Sequence, residues 1–400
     1  MTDDVTYLRL GSIPGITVTY GVVEPGGYAR GGVPMLQAQN ILRGRLASDS
    51  TMRIDEAVHL QNRRTWLRQG DLVVVLVGRV GDAALVTAEH AGWNAARSVG
   101  VIRCTDSSDQ ATSTVEWLRY WFKSPSMRLW FAREARGFAQ PTIGARAIAN
   151  LTVPLPAAAD RHRCLDVLAQ VEERALASLD LSRAATDTAD ALFAQLRMAG
   201  GALPALIGDV CEARAGGGRA HRRTVVDEAD TDESGRSGVQ VATADVLNAE
   251  FPYWWNRMTG GPDRAWTEPG QLLIATKKGA SRIVLDASGD AEAARGTLSV
   301  RADGAEEQWW LLHELRARRG DIALAAQGAS ARELSARAFS SLPLAWPTAR
   351  VRSEFAELAS ALHQRAILAL EDHDDMQRMV GLLIERALRV SPAPEEGQSR

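Results

Sequence analysis

Apolar residues fall along this chain in two rhythms, and the pair of rhythms occurs twice. Residues 72–77 (Leu-Val-Val-Val-Leu-Val) form a short, β-branched run that stops at Gly78, which predicts a buried strand. Residues 84–87 and 98–103 predict further strands. Residues 113–122 carry Trp117, Leu118, Trp121 and Phe122 at helical spacing, and Ser113 with Glu116 has the spacing of a capping box. Ser124-Pro125 interrupts that helix, a short helix is predicted over 143–149, and 151–156 reads as extended. The rhythm then changes. From 157 to 203 there is no proline, and Leu165, Leu168, Val171, Ala175 and Leu179, then Ala185, Ala189, Leu192 and Leu196, recur at steps of three and four. A helix of about 40 residues is roughly 60 Å long. Over that length it cannot bury one stripe against a compact domain, so it needs a partner helix. Residues 348–391 supply one. Phe355, Leu362, Ala369, Met376 and Leu383 are spaced by sevens with Leu358 and Met379 beside them, and Arg365 and Asp372 interrupt the seam. Antiparallel pairing is expected, because the chain runs out along one helix and back along the other.

The two halves also match in detail. Gly32-Val33-Pro34-Met35, Gln69-Gly70-Asp71-Leu72, Arg97-Ser98-Val99-Gly100, Trp117-Leu118 and Leu151-Thr152-Val153-Pro154 recur in order. Their counterparts are Gly238-Val239-Gln240-Val241, Pro269-Gly270-Gln271-Leu272, Arg295-Gly296-Thr297-Leu298, Trp310-Leu311 and Leu342-Pro343-Leu344-Ala345. The offset shrinks steadily, as small loop insertions and deletions require, and a period this long describes a duplicated domain rather than a solenoid. The expectation is a mixed α/β (α+β) chain with globular domains at 1–156 and 204–347, long helices at 157–203 and 348–391, and a disordered tail at 392–400. Residues 225–237 read as a mobile loop.

Composition narrows the function. An apolar content of 46% supports genuine cores. No run of about 18 apolar residues is present, so no membrane span and no membrane partner are expected. The opening Met1-Thr2-Asp3-Asp4 is acidic and unlike a secretory signal. Cys104, Cys164 and Cys211 are too scattered for a disulfide framework or zinc site, so a reduced cytoplasm is expected. The net charge of −3 does not advertise nucleic-acid binding. Only Lys123, Lys277 and Lys278 are lysine, a bias that a GC-rich genome produces by itself, although arginine's planar fork also suits guanine edges and phosphates.

Catalytic motifs are missing from the sequence. No Gly-Lys dipeptide occurs, hence no Walker A loop. Asp227-Glu228-Ala229-Asp230 spells a helicase box but sits in an acidic loop with no phosphate loop upstream. No lysine has a carboxylate two residues before it, no two prolines are adjacent, and there is no G-x-S-x-G elbow or H-E-x-x-H helix. The seven histidines are dispersed, and Glu371-Asp372-His373-Asp374-Asp375 reads as a solvated acidic face. The Gly216-Gly217-Gly218 loop, flanked by Arg214, Arg219, His221, Arg222 and Arg223, has the composition of a segment lying on a nucleic-acid backbone, or of a plain flexible loop.

Several segments together resemble one family. They are Tyr20-Gly21-Val22-Val23-Glu24-Pro25-Gly26, Gly32-Val33-Pro34, Gln39-Asn40-Ile41 and Leu67-Arg68-Gln69-Gly70-Asp71-Leu72. Val77-Gly78-Arg79-Val80-Gly81, Asn94 with Arg97, and Gln140-Pro141-Thr142-Ile143-Gly144 running to Leu151–Pro156 complete the set. In this order, and duplicated, they resemble the target-recognition domains of specificity subunits of type I restriction-modification systems. The second half departs from the pattern: Gln271 replaces the acidic residue, and no Gln-Pro-Thr-Ile-Gly segment is present near 331–339.

The resemblance implies two target-recognition domains separated by antiparallel coiled-coil helices, and a subunit that is not itself an enzyme. Each domain reads one half of a bipartite, asymmetric double-stranded DNA target. Two methyltransferase subunits dock on the spacer helices, S-adenosylmethionine belongs to those partners and not to this chain, and restriction/translocase subunits join in systems that also cleave. Two other classes stand beside this reading: a duplicated α/β enzyme whose site is not visible in sequence, and a coiled-coil scaffold that binds protein. For DNA contacts the glycine-rich loops next to predicted strands favour Tyr28, Arg30, Gln37, Gln39, Asn40, Arg79 and Gln140 in the first domain. In the second they favour Arg214, Arg219, Arg222, Thr243, Lys277, Lys278 and Arg282. Gln and Asn suit adenine edges, and arginine suits guanine or phosphate.

Overall fold

The computed structural model describes residues 5–42, 44–48, 51–105, 109–137, 141–199, 201–217, 239–247, 249–255, 269–276, 282–289, 291–328 and 333–388. The expected loop at 225–237 and tail at 392–400 lie outside them. The chain divides into two compact units, Met1–Ala175 with Asp374–Arg400, and Leu176–His373. The division falls inside both long helices, Ala158–Met198 and Ala349–Leu388, so each unit holds one globular domain and one end of each helix.

In the first unit a four-stranded antiparallel sheet runs in the order Ile16–Tyr20, Val99–Cys104, Leu72–Val75, Ala83–Leu85. The continuous apolar run at 72–75 is explained by burial on both faces. Leu72 and Val74 pack with the helical core that includes Trp117 and Leu118, whereas Val73 and Val75 pack with Leu36, Ile41 and Ala95. A smaller sheet joins Val33–Leu36 to Met52–Ile54 and Asn94–Ala95. The domain is closed by Val5–Arg9 pairing with Thr152–Pro156, the strand that leads into the long helix.

The second unit repeats this plan. Its sheet runs Cys211–Ala215, Thr297–Ala302, Leu272–Ala275, Ile283–Asp286, and Leu203–Leu206 pairs with Pro343–Trp346. One strand has no counterpart in the first sheet: Tyr253–Trp254 adds in parallel to Ile283–Asp286. The duplication extends to glycine. A Cβ on Gly21 would lie 2.1 Å from the Ala95 carbonyl oxygen, and one on Gly216 would lie 2.2 Å from that of Ala294, so both domains need backbone against backbone at the same place.

Two sequence expectations are corrected. The helix over the first sheet is Asp109–Trp121, so Ser113 lies inside it and no capping box forms there. Instead the Ser113 hydroxyl accepts from Nε (3.2 Å) and Nη2 (3.1 Å) of the buried Arg161. The seam of the second long helix keeps Phe355 and Ala369 of the expected register, both buried, but the flanking Leu358 and Met379 are exposed. The buried seam runs Ala359, Ala366, His373, Val380 and Ala356, His363, Leu370, Ile384. The first long helix buries Leu168, Ala175, Ser182, Ala189 and Leu165, Glu172, Leu179, Thr186, Phe193 in the same heptad pattern. Polar residues inside both seams hid the register. Within the second unit the helices run antiparallel: Ser178 donates to Asp372 (2.6 Å), and the Phe193 and Phe355 rings meet edge to face at 5.7 Å.

Candidate nucleic-acid interface

In the first domain the structure gathers several of the expected contact residues around one guanidinium. Arg79 sits in the Val77–Gly81 loop, whose turn needs the left-handed backbone at Gly78 and Gly81. Its Nε pairs with Asp82 (2.9 Å), and its Nη2 donates to the carbonyls of Ala38 (3.2 Å) and Ile41 (2.7 Å). Arg79 therefore staples this loop to the 38–41 turn. That turn is set by Asn40, whose Oδ1 accepts from the Gln37 backbone N–H (3.0 Å). Gln39 donates to the Gln37 side chain (3.2 Å) and stays exposed. Gln39, Gln37 and Arg79 thus share one polar ledge. Asn40 does not: it is buried as the loop's internal brace, which corrects its expected role as a groove-reaching side chain. Gln140 lies outside the described residues. Its neighbours are fixed on the same ledge, since Gly78 N–H donates to the Pro141 carbonyl (2.8 Å) and Thr142 bridges Val77.

Tyr28, 64% exposed, and Arg30 project from a neighbouring loop. Ala29 N–H donates to the Arg53 carbonyl (3.0 Å), and Arg53 Nη1 donates to the Gly32 carbonyl (2.7 Å), which pins that loop's base. Tyr20 and Val23 are also exposed, so this loop presents aromatic and apolar surface that the candidate set omitted. The preceding Tyr20-Gly21-Val22-Val23 motif carried that signal.

The second domain gathers fewer of its candidates. Arg214 is exposed on strand Cys211–Ala215 and is held by Glu212 (2.8 Å). Thr243 is buried and donates to the Gly296 carbonyl (2.7 Å), and the half-buried Arg282 donates to the carbonyls of Ala249 and Glu250. Thr243 is committed inside the domain, against the expectation that it reaches outward, and Arg282 is tied to the 249–250 backbone at the wall of an open cleft. Arg219, Arg222, Lys277 and Lys278 lie outside the described residues.

The departure at Gln271 has a physical reason. In the first domain the buried Asp71 accepts two bonds from Arg103 (2.8 and 2.6 Å) and one from the Arg68 backbone. In the second, Gln271 accepts from Ser299 and donates to the Ala291 carbonyl, so a neutral amide replaces an ion pair. Among the described residues no group of His, Cys, Asp or Glu is placed to hold a metal ion, and no helix is long and apolar enough to cross a membrane.

No family model matches the chain. Over 154 residues it is 28% identical to the type I restriction enzyme EcoBI specificity subunit of Escherichia coli, a match covering 38% of this chain and 31% of that protein. The chain matches about a third of that relative's length. Two solved structures are similar along nearly the whole chain. The S subunit of a type I restriction-modification system from M. genitalium is 12% identical, with a TM-score of 0.46 and coverage of 98% of this chain and 97% of that one. The HsdS subunit from Thermoanaerobacter tengcongensis is 16% identical, with a TM-score of 0.34 and 96% of each chain covered.

Proposed function

We propose that this protein is the DNA-reading specificity subunit of a type I restriction-modification complex. The carrying observation is the duplication: one fold built twice, each copy with its own set of loop side chains and each running into a 40-residue class of helix with a matching buried heptad. Two unlike readers on one chain suit an asymmetric, bipartite target, which a symmetric dimer would not read. In the first domain Gln39, Gln37 and Arg79 supply base-edge and phosphate contacts, with Tyr28 and Arg30 on the adjacent loop. The chain itself performs no catalysis. Methyltransferase subunits dock on the long helices and carry S-adenosylmethionine, and restriction/translocase subunits join where cleavage accompanies modification.

Methylome sequencing of cells expressing this chain with its methyltransferase tests the reading. A methylated motif of two short half-sites with a fixed gap is expected, and exchanging residues 1–156 for another recognition domain changes one half-site only. Changes in both half-sites, or turnover by the purified chain alone, would overturn it.

A further inference from the structure

The second unit holds an open cleft of about 510 Å³ that the DNA-reading scheme does not use. Four arginines line it: Arg197 from the end of the first long helix, Arg282 from the start of a sheet strand, and Arg316 and Arg319 from the helices over the sheet. Its carboxylates are already engaged. Asp190 takes both Nη atoms of Arg316 at 3.0 Å, Glu250 takes Arg183 at 3.3 Å, and Glu314, just behind the wall, takes Arg197 at 3.0 Å. Arg282 donates to backbone carbonyls, and the exposed Arg319 has no hydrogen bond or ion pair among the described residues. Burial lowers the Arg282 pKa, the nearby charges of Arg316 and Arg319 lower it further, and Glu250 opposes them; all four side chains line the one cleft. His313 also lines the cleft, and Phe193, Met198 and Pro252 give it an apolar side.

The first unit shows that this fold does not require such a cleft. There Ser126 stands where Arg319 does, and its N–H (3.0 Å) and hydroxyl (2.7 Å) both donate to Glu385 of the second long helix. The corresponding seat is tied shut by a carboxylate.

We propose that the cleft in the second unit is a binding site for a phosphate-bearing ligand with an apolar body, of the nucleotide class. Guanidiniums converging from separate elements match the several oxygens of a phosphate better than a single carboxylate, and each retains unused N–H donors. The volume lies within the roughly 300–1,000 Å³ usual for small-molecule sites, and the apolar wall would take a base or sugar face. The inference stands independently of the DNA-reading proposal.

Isothermal titration of the full chain with pyrophosphate and with ADP tests it. Saturable binding of both is expected, tighter for ADP. Arg319→Glu should weaken each at least tenfold and Arg319→Ser should do so less severely, with the circular dichroism and melting temperature unchanged because Arg319 braces nothing. A DNA duplex that competes with bound ADP identifies a backbone phosphate as the source of the anion. A duplex that binds alongside ADP identifies the free nucleotide. No saturable binding of either probe at millimolar concentration, or equal affinity in the wild type and Arg319→Glu, overturns the proposal.

Discussion

The same point on each long helix meets its globular domain in two chemically different ways. In the first unit the point is Glu172. Its carboxylate takes the Lys123 ammonium, the Arg119 guanidinium and the Tyr120 hydroxyl (3.1 Å), all largely buried. In the second unit the matching residue is His363. It stacks on Trp309 at 4.6 Å, and its Nδ1 bonds Tyr253 (2.6 Å) while its Nε2 bonds His313 Nε2 (2.8 Å). His313 Nδ1 continues to Asp190 (2.7 Å), and Tyr253 also meets Thr186 (3.2 Å). Between two ring nitrogens only one proton fits, so the run from Thr186 to Asp190 is a directed chain of single-proton bonds. One fold thus tolerates, at the same seat, either a charge clamp or a hydrogen-bond chain that ends on the Asp190 carboxylate. What both seats share is that the helix side chain itself, Glu172 or His363, has a partner on every polar atom.

The largest expected effect comes from breaking the clamp. Glu172→Gln leaves Lys123 and Arg119 buried without a counter-charge, which costs about 3–5 kcal/mol where a buried pair loses one partner. Hydrogen exchange of the 109–121 and 165–175 amides should report it. A loss below about 1 kcal/mol would show that the clamp is hydrated and weak.

Acid separates the two seats next. Burial lowers the pKa of His313 and His363 below the ordinary 6.5, with Asp190 opposing the shift at His313 and the charges of His313 and Arg316 adding to it at His363. The unfolded chain therefore takes up protons first as pH falls. Stability from these imidazoles is complete above pH 6.5 and drains as pH drops through that value, by about 1.4 kcal/mol per pH unit per proton. Burial of Glu172 works to raise its pKa, but Lys123 and Arg119 outweigh it and hold the carboxyl below 4.5. Its contribution persists until pH falls through that lowered value. Burial also lowers the pKa of His90 in the first unit, so between pH 6.5 and 4.5 protection factors should fall more steeply for 305–317 and 355–370, which carry two such imidazoles, than for 109–121. His363→Phe keeps the stack on Trp309, costs about 1–3 kcal/mol in stranded hydrogen-bonding groups, and flattens this dependence. Parallel pH profiles in the two units would refute the contrast.

Much of this architecture was legible in the sequence because it rests on apolar periodicity. A strand within 72–77, observed at Leu72–Val75, and two helices of about 40 residues follow from spacing alone, and the duplication follows from the order of motifs. The seats were not legible. Glu172, His363 and Thr186 occupy core positions of a heptad, where a pattern search expects apolar residues, so a slightly shifted register looked better. The site was half legible for a related reason. Glycine-rich loops mark where side chains leave the core, but nothing local says which polar side chain turns back. Asn40 and Thr243 turn inward to satisfy backbone groups, whereas Gln39 and Tyr28 remain outside.

Base contacts should show a smaller effect than the seats. Gln39→Ala, on the first ledge, is expected to cost roughly 1–3 kcal/mol of discrimination at one base pair while leaving the melting temperature unchanged, because Gln39 is exposed. Titrations on cognate and single-mismatch duplexes measure this, and an unchanged mismatch penalty removes Gln39 from the reading set. Mutating Asn40 instead should lower stability, since it braces the turn from inside.

The smallest effect is expected where the two seats differ by an empty space. Asp190 holds His313 and Arg316 in the second unit, whereas the matching residue in the first is Gly381, packed against the loop that precedes the helix Pro125–Glu134. A Cβ there would stand 3.1 Å from Pro125 Cδ and 3.2 Å from the Lys123 carbonyl oxygen, closer than comfortable contact yet short of a clash. Replacing glycine by alanine inside a helix gains about 1 kcal/mol of propensity. Easing the ring and carbonyl apart costs a similar amount, so Gly381→Ala should change stability by less than about 1 kcal/mol in either direction. Gly381→Asp adds a carboxylate facing a carbonyl oxygen and should be clearly worse, although aspartate is what the other seat uses. Denaturant melts of both variants decide the point. A loss of several kcal/mol from alanine alone would mean that the first seat depends on rigid backbone contact at Gly381 and not chiefly on its clamp.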